Sequence, residues 1–447
     1  MKKVDVFVIG SGSAGRKVAQ TCAKSGLKVA IADNRDYGGT CGNRGCIPKK
    51  VLLGPSETYD LADNLMGKGI STMPIVDWKA LQKFKRQFTK PIPMSTEKDL
   101  AELGIEMYHE SPKFLDEQTL SVEGKPMKAN KIVIATGQIP RKLEFNGSEL
   151  LKNSDDFLRL QKLPKNMVFI GGGYIAMEFA HMAARAGSKI TIIEYGGNIL
   201  KTFDKDMVCH LRKVSEDLGI EFIFNAEITQ LEKLKKNLRI QYKQGGEEKS
   251  LKARSIFNTA GRVPAIKSLN LEKGNVSYSE KGILVNAYLQ NTRNPNVYAC
   301  GDVSAHGLPL TPLSGLEGAI VAENILQGNL KKLETSVIPS AVFTLPNLAS
   351  VGVSEEEAKR RYKSVTINSK SVPEWYNAKR LNTSAYAYKI IINDRTKQIV
   401  GAHLLSPHAA ETINIFAMAI NLQMTTDDLK STIFTFPSWA NDIKSMI

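Results

Sequence analysis

Apolar runs that end in glycine divide the N-terminal part of the chain into strands and helices. Val4–Ile9 is apolar at every position except Asp5, which predicts a buried strand. A glycine-rich turn follows, then a helix predicted to reach Lys24 and a second strand over Lys28–Ala32. Because strands that alternate with helices usually pair in parallel, this segment predicts an α/β domain.

The same pattern occurs a second time further along the chain. Met167–Ile170 predicts a strand, residues 171–173 are glycines that open a helix, and Lys189–Ile193 predicts the next strand. Each copy ends in an acid, Asp33 or Glu194, 23 positions after the first glycine of its turn. Such glycines let phosphates approach a helix N-terminus, and the acid accepts hydrogen bonds from a ribose hydroxyl. Two units with equal spacing predict two bound nucleotides.

Residues in the two glycine turns and in three later segments are the candidate nucleotide ligands. The first glycine turn and its acid supply Gly10, Gly12, Ser13, Ala14, Gly15 and Asp33. The second glycine turn and its acid supply Gly171, Gly172, Gly173, Tyr174, Ile175 and Glu194. Later strands that break at glycine or end in an acid add Thr136, Gly137, Gly261 and Asp302.

From about Val337 the pattern changes. Two apolar strands flank the turn residues Asn393–Gln398, which predicts a hairpin, and an apolar helix follows over roughly Ala410–Leu422. This part has no nucleotide fingerprint, so we predict an interface domain. The predicted fold is α/β, with two doubly wound dinucleotide-binding domains and a C-terminal α+β domain, for which the family resemblance given below implies a role as the dimerisation domain. The predicted domains are 1–148 with 270–335, 149–269, and 336–447.

Composition and net charge limit the classes of partner that we expect this chain to bind. The net charge of +15 favours anionic ligands, but the clearest basic run, Lys233–Lys236, has no interleaved aromatic residues and predicts a solvated turn. We therefore expect no nucleic-acid partner. No apolar run approaches the roughly 20 residues of a membrane span, and the chain enters a strand directly, so we expect no membrane partner and a cytoplasmic protein.

Cys41 and Cys46 carry the most specific chemical signal. They lie five positions apart in the glycine-rich segment 38–50, which we call the cysteine segment and predict to be a turn around Cys41. Two cysteines at this spacing allow a disulfide that opens and closes, and a helix N-terminus together with Lys49 and Lys50 would lower a thiol pKa. The alternatives are a pair of inert free cysteines or half of a metal site. No second cysteine pair or histidine cluster completes a zinc shell, so we expect no metal.

Together these segments resemble the FAD-dependent pyridine nucleotide–disulfide oxidoreductases, such as glutathione reductase, dihydrolipoamide dehydrogenase and mercuric reductase. The cysteine segment is the most specific match, and the resemblance extends from Val4 to about Trp439. It implies a homodimeric enzyme that passes electrons from NADH, with NADPH as the alternative, through FAD to a small-molecule acceptor.

The resemblance also implies residue roles. FAD would lie on the first glycine turn and beside Gly39 and Thr40, with Asp33 at its adenosine ribose, Asp302 at its ribitol and Thr311 beside its ring. Cys46 would be the thiolate against the flavin, and Cys41 would attack the substrate. Lys50 and Glu178 match an ion pair near the flavin N5, and Tyr174 matches an aromatic gate over the flavin. Glu194 favours NADH over NADPH, a preference that Lys201 softens.

The chain departs from the family near its C-terminus. The family places there a histidine that protonates the departing thiolate, followed five residues later by a glutamate. Phe436 and Asn441 occupy these positions, and phenylalanine cannot transfer a proton. The predicted acceptor is a disulfide. Because the usual acid is absent, the alternative is an NADH-dependent reductase of metal ions, quinones or oxygen. A redox sensor or a binding protein is the alternative of a different class.

Overall fold

The computed structural model describes residues 1–334 and 337–447. The α-helices are α1 (Ser13–Lys24), α2 (Gly39–Arg44), α3 (Cys46–Asn64), α4 (Trp78–Thr89), α5 (Ile92–Ala101), α6 (Ser154–Leu158), α7 (Tyr174–Arg185), α8 (Lys205–Asp217), α9 (Thr311–Gln327), α10 (Glu355–Arg361), α11 (Tyr376–Arg380), α12 (Ala409–Asn421), α13 (Thr426–Ser431) and α14 (Ile443–Met446). A 3-10 turn covers Ser148–Leu150.

The strands are β1 (Lys2–Ile9), β2 (Val29–Ala32), β3 (Glu106–Tyr108), β4 (Lys113–Phe114), β5 (Thr119–Val122), β6 (Lys125–Ile134), β7 (Gln138–Pro140), β8 (Asn166–Ile170), β9 (Lys189–Ile193), β10 (Ile220–Ile223), β11 (Ala226–Lys233), β12 (Leu238–Gln244), β13 (Glu247–Ala253), β14 (Ser255–Asn258), β15 (Arg262–Pro264), β16 (Tyr278–Ser279), β17 (Gly282–Ile283), β18 (Val297–Ala299), β19 (Ser340–Val342), β20 (Asn347–Gly352), β21 (Val365–Ser371), β22 (Ala387–Asn393) and β23 (Ile399–Ser406).

The first compact unit is built on a parallel sheet. It comprises Met1–Val51, Gln82–Lys142 and Gly261–Glu334. Strands β3, β2, β1 and β6 pair in that order, and β18 adds a further parallel partner to β6. The N-terminal half of β6 instead pairs antiparallel with β5, which pairs with β4.

Both faces of β1 are buried, which explains its nearly continuous apolar sequence. Phe7 and Ile9 pack on one face with Ala30 of β2, in one apolar cluster. Val6 and Val8 pack on the other face, in the cluster that includes α1 and α9. The carboxyl ends of the parallel strands meet at one edge of this sheet, and the first glycine turn follows β1 there.

The second compact unit comprises Leu52–Leu81, Leu143–Ala260 and residues 337–447. Its parallel sheet has the order β10-β9-β8-β14, beside an antiparallel sheet of β11, β12 and β13. A separate antiparallel sheet has the order β19-β20-β23-β22-β21, and α12 packs on it. The predicted C-terminal hairpin is the β22–β23 pair, which carries a register shift between Ile391 and Ile392.

These sheets confirm the predicted fold class. One local expectation is wrong, because the sequence predicts a glycine turn around Cys41, whereas residues 39–44 form the short helix α2. The predicted boundary between 335 and 336 lies outside the described residues. Within residues 1–334 and 337–447, no helix has the length and apolar character needed to cross a bilayer.

Candidate active site

The first glycine turn leaves a space at the N-terminus of α1. A Cβ on Gly12 would approach only Gly39 Cα, at 3.9 Å, so Gly12 faces open space in the first unit. A Cβ on Gly15 would lie 1.9 Å from the carbonyl oxygen of Gly10. Gly12 therefore leaves room for a ligand, while Gly15 lets α1 pack against the turn. A dinucleotide-binding turn requires both roles, one glycine that leaves room for the ligand and another that permits close packing of the helix.

Asp33 lies at the end of β2 and faces this turn. Its Oδ2 accepts hydrogen bonds from the Ser11 amide at 2.8 Å and from the Ser11 hydroxyl at 2.6 Å. Its Oδ1 accepts from the Arg35 amide at 3.0 Å. The carboxylate is therefore held rigidly beside the turn, where a ribose hydroxyl can reach it.

The turn opens into a long cleft of about 320 Å³, a volume within the range of small-molecule sites. Most of the predicted FAD ligands line this cleft: Gly10, Gly12, Ser13, Ala14, Asp33, Gly39, Thr40, Thr136, Gly137, Asp302 and Thr311, together with Cys41. Gly15 lies beneath the turn rather than in the lining. Cys46, Lys50 and Gly261 also lie outside the lining, and the Gly261 carbonyl accepts a hydrogen bond from the Arg141 amide.

The cleft fits FAD by its own polar groups. Thr136 Oγ1 is buried and has no hydrogen-bond partner among the described residues, although its residue lines the cleft. Buried hydroxyls normally have a partner, so this oxygen is suited to a ligand polar group. Together with the space at Gly12, it supports a bound cofactor with phosphate and hydroxyl groups.

The two cysteines of the cysteine segment lie beside this cleft. Cys41 lies on α2, and Cys46 is the first residue of α3. Both are free thiols, and the Cys46 sulfur lies 3.5 Å from the Thr311 hydroxyl at the start of α9. The Cys41 thiol is hydrogen-bonded to the Cys46 sulfur. The pair is thus close enough for a disulfide that opens and closes.

The surroundings shift the pKa values of the two thiols in opposite directions. The hydrogen bond from Cys41 lowers the pKa of Cys46 to about 6, against the effect of burial and with help from the Thr311 hydroxyl and the Lys49 charge. The same hydrogen bond, together with burial, raises the pKa of Cys41. Cys46 is therefore the thiolate of the pair at neutral pH, and Cys41 keeps its proton.

Two neighbouring carboxyl groups, those of Asp302 and Glu317, lie near the start of α9, and Asp302 lines the cleft. Asp302 accepts a hydrogen bond from the Ser314 hydroxyl at 3.3 Å, and burial raises its pKa despite the nearby Arg262 charge. Glu317 is buried and accepts from the Gly301 amide at 2.6 Å. Burial raises the pKa of Glu317 to about 7. Glu317 thus fixes the backbone that presents Asp302 to the cleft.

The second glycine turn holds its acid in the same way as the first. Glu194 accepts hydrogen bonds from the amides of Gly172, at 2.8 Å, and Gly196, at 2.9 Å. The Lys201 ammonium donates to the same carboxylate at 2.9 Å. Burial would raise the pKa of Glu194, but these three donors lower it. Gly173 caps α7, which begins with Tyr174 and Ile175.

The predicted ion-pair residues occupy different compact units. Lys50 lies on α3 in the first unit, and Glu178 is buried on α7 in the second. Glu178 Oε1 accepts a hydrogen bond from the Phe343 amide at 2.9 Å. Tyr174, at the start of α7, is half exposed. The Lys50–Glu178 pairing remains a prediction.

The C-terminal residues differ in exposure. Phe436 is 76% exposed, and Ile433 is 93% exposed. Asp442 accepts hydrogen bonds from the Asn377 amide and the Tyr386 hydroxyl, each at 3.0 Å. Asp442 therefore ties the segment around it to Asn377 of α11 and to Tyr386.

Sequence reasoning missed several residues of the cleft. Arg44, Glu110, Ser111, Ser314 and residues 265–268 all line it. Ser314 could have been found, because it lies one helical turn after Thr311 on α9. The others follow from how strands and loops meet at the sheet edge, which local sequence does not encode.

The comparisons agree with this architecture. The family described as pyridine nucleotide-disulphide oxidoreductase matches residues 4–323, and its dimerisation domain matches residues 338–447. A glutathione reductase of Nostoc sp. is 31% identical over 99% of this chain and 99% of that protein. A dihydrolipoyl dehydrogenase of Bacillus subtilis is 31% identical over 96% of this chain and 95% of that protein. A mercuric reductase of Staphylococcus aureus is 29% identical over 98% of this chain and 81% of that protein.

Solved structures give the same result. The HOCl-induced flavoprotein disulfide reductase RclA of Escherichia coli superposes with a TM-score of 0.87 at 27% identity, covering 99% of both chains. Its Cu(II) complex superposes with a TM-score of 0.89 at 27% identity, again over 99% of both chains.

The chain belongs to the pyridine nucleotide–disulfide oxidoreductase family. It is an oxidoreductase of the FAD-dependent, NAD(P)H-linked class, and its C-terminal part is the family's dimerisation domain.

Proposed function

We propose that this enzyme oxidises NADH and passes the electrons through FAD to the Cys41–Cys46 pair, which reduces a small-molecule acceptor. The observation that carries the proposal is the paired acidity of the two sulfurs beside the cleft. Cys46 is the stable thiolate and contacts Thr311, while Cys41 lines the cleft and keeps its proton. FAD, when bound, supplies the two-electron transfer between nicotinamide and thiols.

The residues of the first unit would hold FAD. The first glycine turn and the α1 N-terminus would receive the phosphates, Asp33 would bind the adenosine ribose, and Thr136 and Asp302 would bind other polar groups. In the second unit, the turn at 171–173 would receive the phosphates of NADH. Glu194 would bind its free ribose hydroxyls, and Tyr174 would move aside for its nicotinamide. Lys50 and Glu178 would each act in flavin reduction, as the family resemblance implies.

A disulfide acceptor would react in two balanced steps. Cys41 first passes its proton to the Cys46 thiolate, to which it is hydrogen-bonded. The Cys41 thiolate then attacks one acceptor sulfur, so that a mixed disulfide forms and one thiolate leaves, which takes up that proton from Cys46. Cys46 then attacks the Cys41 sulfur, which closes the Cys41–Cys46 disulfide and releases the second thiolate. The pair loses two electrons and the acceptor gains them. The second departing thiolate still needs a proton, and Phe436 cannot supply one.

That missing acid supports a second candidate acceptor, a thiophilic metal ion. Two electrons would pass from the Cys41–Cys46 pair, which closes to its disulfide, to one Hg(II) or two Cu(II) ions held by the sulfurs. No thiolate leaves in this step, so it needs no imidazole at position 436. The relatives include mercuric reductases, and the RclA neighbour was solved as a Cu(II) complex. This chain is only similar to the mercuric reductases and to RclA.

We also propose a homodimer in the cytoplasm. Met418 and Leu422 on α12 are 62% and 68% exposed in the single chain, and Ile433 and Phe436 are exposed as well. Large exposed apolar side chains of a dimerisation domain are suited to a second copy of the chain. A pair of thiols that must be reduced in each cycle suits a reducing compartment.

Steady-state turnover tests the acceptor. The purified enzyme with NADH should be compared on glutathione disulfide, lipoamide, Cu(II), Hg(II) and a quinone, with Cys41→Ser as the matched control. We expect a metal ion to be reduced faster than either disulfide, and Cys41→Ser to abolish that activity. Rapid reduction of glutathione disulfide, at the rate of a dedicated reductase, would restore the disulfide acceptor. Quinone reduction that survives Cys41→Ser would show that the cysteines are bypassed.

A further inference from the structure

One face of α7 is bonded to the backbone of residues 343–345. Glu178, His181 and Arg185 lie at successive turns of this face, three and four residues apart. Glu178 accepts from the Phe343 amide, and His181 Nδ1 accepts from the Leu345 amide at 3.2 Å. Arg185 donates to the Leu345 carbonyl at 3.1 Å. A single helix face therefore fixes three backbone groups of the segment that Glu178 touches.

His181 forms the middle of a directional chain of hydrogen bonds. Because Nδ1 accepts from the Leu345 amide, the ring proton must lie on Nε2. Nε2 lies 2.9 Å from the Ser215 hydroxyl and donates to it, and that hydroxyl donates to the Leu211 carbonyl at 2.8 Å. Both ring nitrogens are therefore committed, and the imidazole cannot rotate without losing a bond.

The surroundings keep this histidine neutral. Its side chain is completely buried, and burial together with the adjacent Arg185 charge lowers its pKa well below the usual value. Arg185 lies 3.2 Å from Nδ1 and pairs with Asp60 on its other side. A protonated ring would lose the Leu345 bond and face the arginine charge. His181 thus acts as a fixed acceptor across the neutral pH range.

We infer that His181 is a positioning residue that orients the Glu178 carboxylate by holding residues 343–345 against α7. The inference rests on the proposed role of Glu178 beside the flavin and adds a second residue to it. Glu178 Oε1 is bonded to Phe343, two residues before the backbone that His181 holds. If the segment shifts, the carboxylate must follow it or lose its donor. A shift of about 1 Å at a reacting group can slow a reaction about 100-fold.

Substitutions at His181 separate this role from simple packing. His181→Leu keeps the volume but removes the acceptor, whereas His181→Asn places an amide oxygen where Nδ1 lies. We expect His181→Leu to slow flavin reduction by NADH between about 10- and 100-fold, in anaerobic stopped-flow experiments on the holoenzyme. His181→Asn should recover most of that rate. Ser215→Ala removes the partner of Nε2 but keeps the Nδ1 acceptor, so it should slow the reaction less than His181→Leu.

A double-mutant cycle shows whether His181 acts through Glu178. If it does, Glu178→Gln combined with His181→Leu should be no slower than Glu178→Gln alone. Two independent effects that multiply would overturn the inference while leaving the role of Glu178 intact. A Glu178→Gln variant with wild-type flavin reduction would instead overturn the proposed role of Glu178 and this inference together.

Hydrogen exchange gives a readout that does not depend on turnover. The amides of Phe343 and Leu345 should exchange faster in His181→Leu than in the wild type, and His181→Asn should restore their protection. Unchanged protection in His181→Leu would overturn the inference even if the variant were slow.

Discussion

Removing the Thr311 hydroxyl should raise the pKa of the Cys46 thiol by a measurable amount. Thr311→Val keeps nearly the same volume but deletes a donor that lies 3.5 Å from the Cys46 sulfur. At pH 7 a thiol with a pKa of about 6 is roughly 90% thiolate. In the two-electron-reduced enzyme, this thiolate should give a charge-transfer band at the long-wavelength edge of the flavin spectrum.

The size of the change follows from the strength of one hydrogen bond. Bonds to charged groups contribute about 1.5–3 kcal/mol, and we take the lower end because this contact is long and Cys46 is exposed in the chain. About 1.4 kcal/mol corresponds to one pH unit. The thiolate fraction at pH 7 should therefore fall from roughly 90% to about half in Thr311→Val.

A pH titration of the charge-transfer absorbance measures this directly. The wild-type band should fade as the pH falls through about 6, because the thiolate is protonated there. In Thr311→Val the fading should begin about one pH unit higher. Thr311→Ser is the control, since it keeps the hydroxyl. A midpoint that does not move in Thr311→Val would refute the assigned hydrogen bond, and a band that survives Cys46→Ser would refute the assigned thiolate.

Three further predictions address coenzyme, cofactor and acceptor. The kcat/KM for NADH should exceed that for NADPH by about tenfold or more, which corresponds to roughly 1.4 kcal/mol. Glu194→Ala should reduce that ratio, because the carboxylate that repels a 2′-phosphate is removed. A higher kcat/KM for NADPH in the wild type would assign Lys201 the dominant role. Gly12→Ala should fold with an unchanged circular dichroism spectrum but bind little FAD. Gly15→Ala should fail to fold, since its Cβ would lie 1.9 Å from the Gly10 carbonyl oxygen. Gly12→Ala protein that is yellow from bound FAD would contradict the cleft assignment. Phe436→His combined with Asn441→Glu should raise turnover of glutathione disulfide by up to about 100-fold, with Phe436→Leu as the control. An unchanged turnover would mean that positions 436 and 441 do not supply the acid.

Much of the fold could be predicted from the sequence because buried parallel strands carry a strong local signal. β1 and β8 are continuous apolar runs, each followed by glycines and a helix, and their predicted limits agree with the structure to within two residues. The hairpin β22–β23 was equally visible, since its turn residues interrupt two apolar strands. The β11–β13 sheet was not predicted, because β13 is largely exposed and carries little apolar pattern.

The site was predictable where residue type and spacing carry the chemistry. Glycines, acids and paired cysteines mark the cleft, and most of the predicted residues line it. The anchoring role of Asp442 was not visible, because its partners Asn377 and Tyr386 are distant in sequence. For the same reason His181 looks like an ordinary polar residue on an apolar helix until Leu345 is placed beside it.

Anaerobic titration with NADH shows whether electrons from NADH pass through FAD to the Cys41–Cys46 pair. The wild type should therefore take up two electrons with a charge-transfer band while the flavin remains oxidised, and only then should further NADH bleach the flavin. Cys41→Ser should bleach with the first equivalent. If the wild type instead bleached with the first equivalent and formed no such band, the cysteines would not be the acceptor of the flavin, and the account would be wrong.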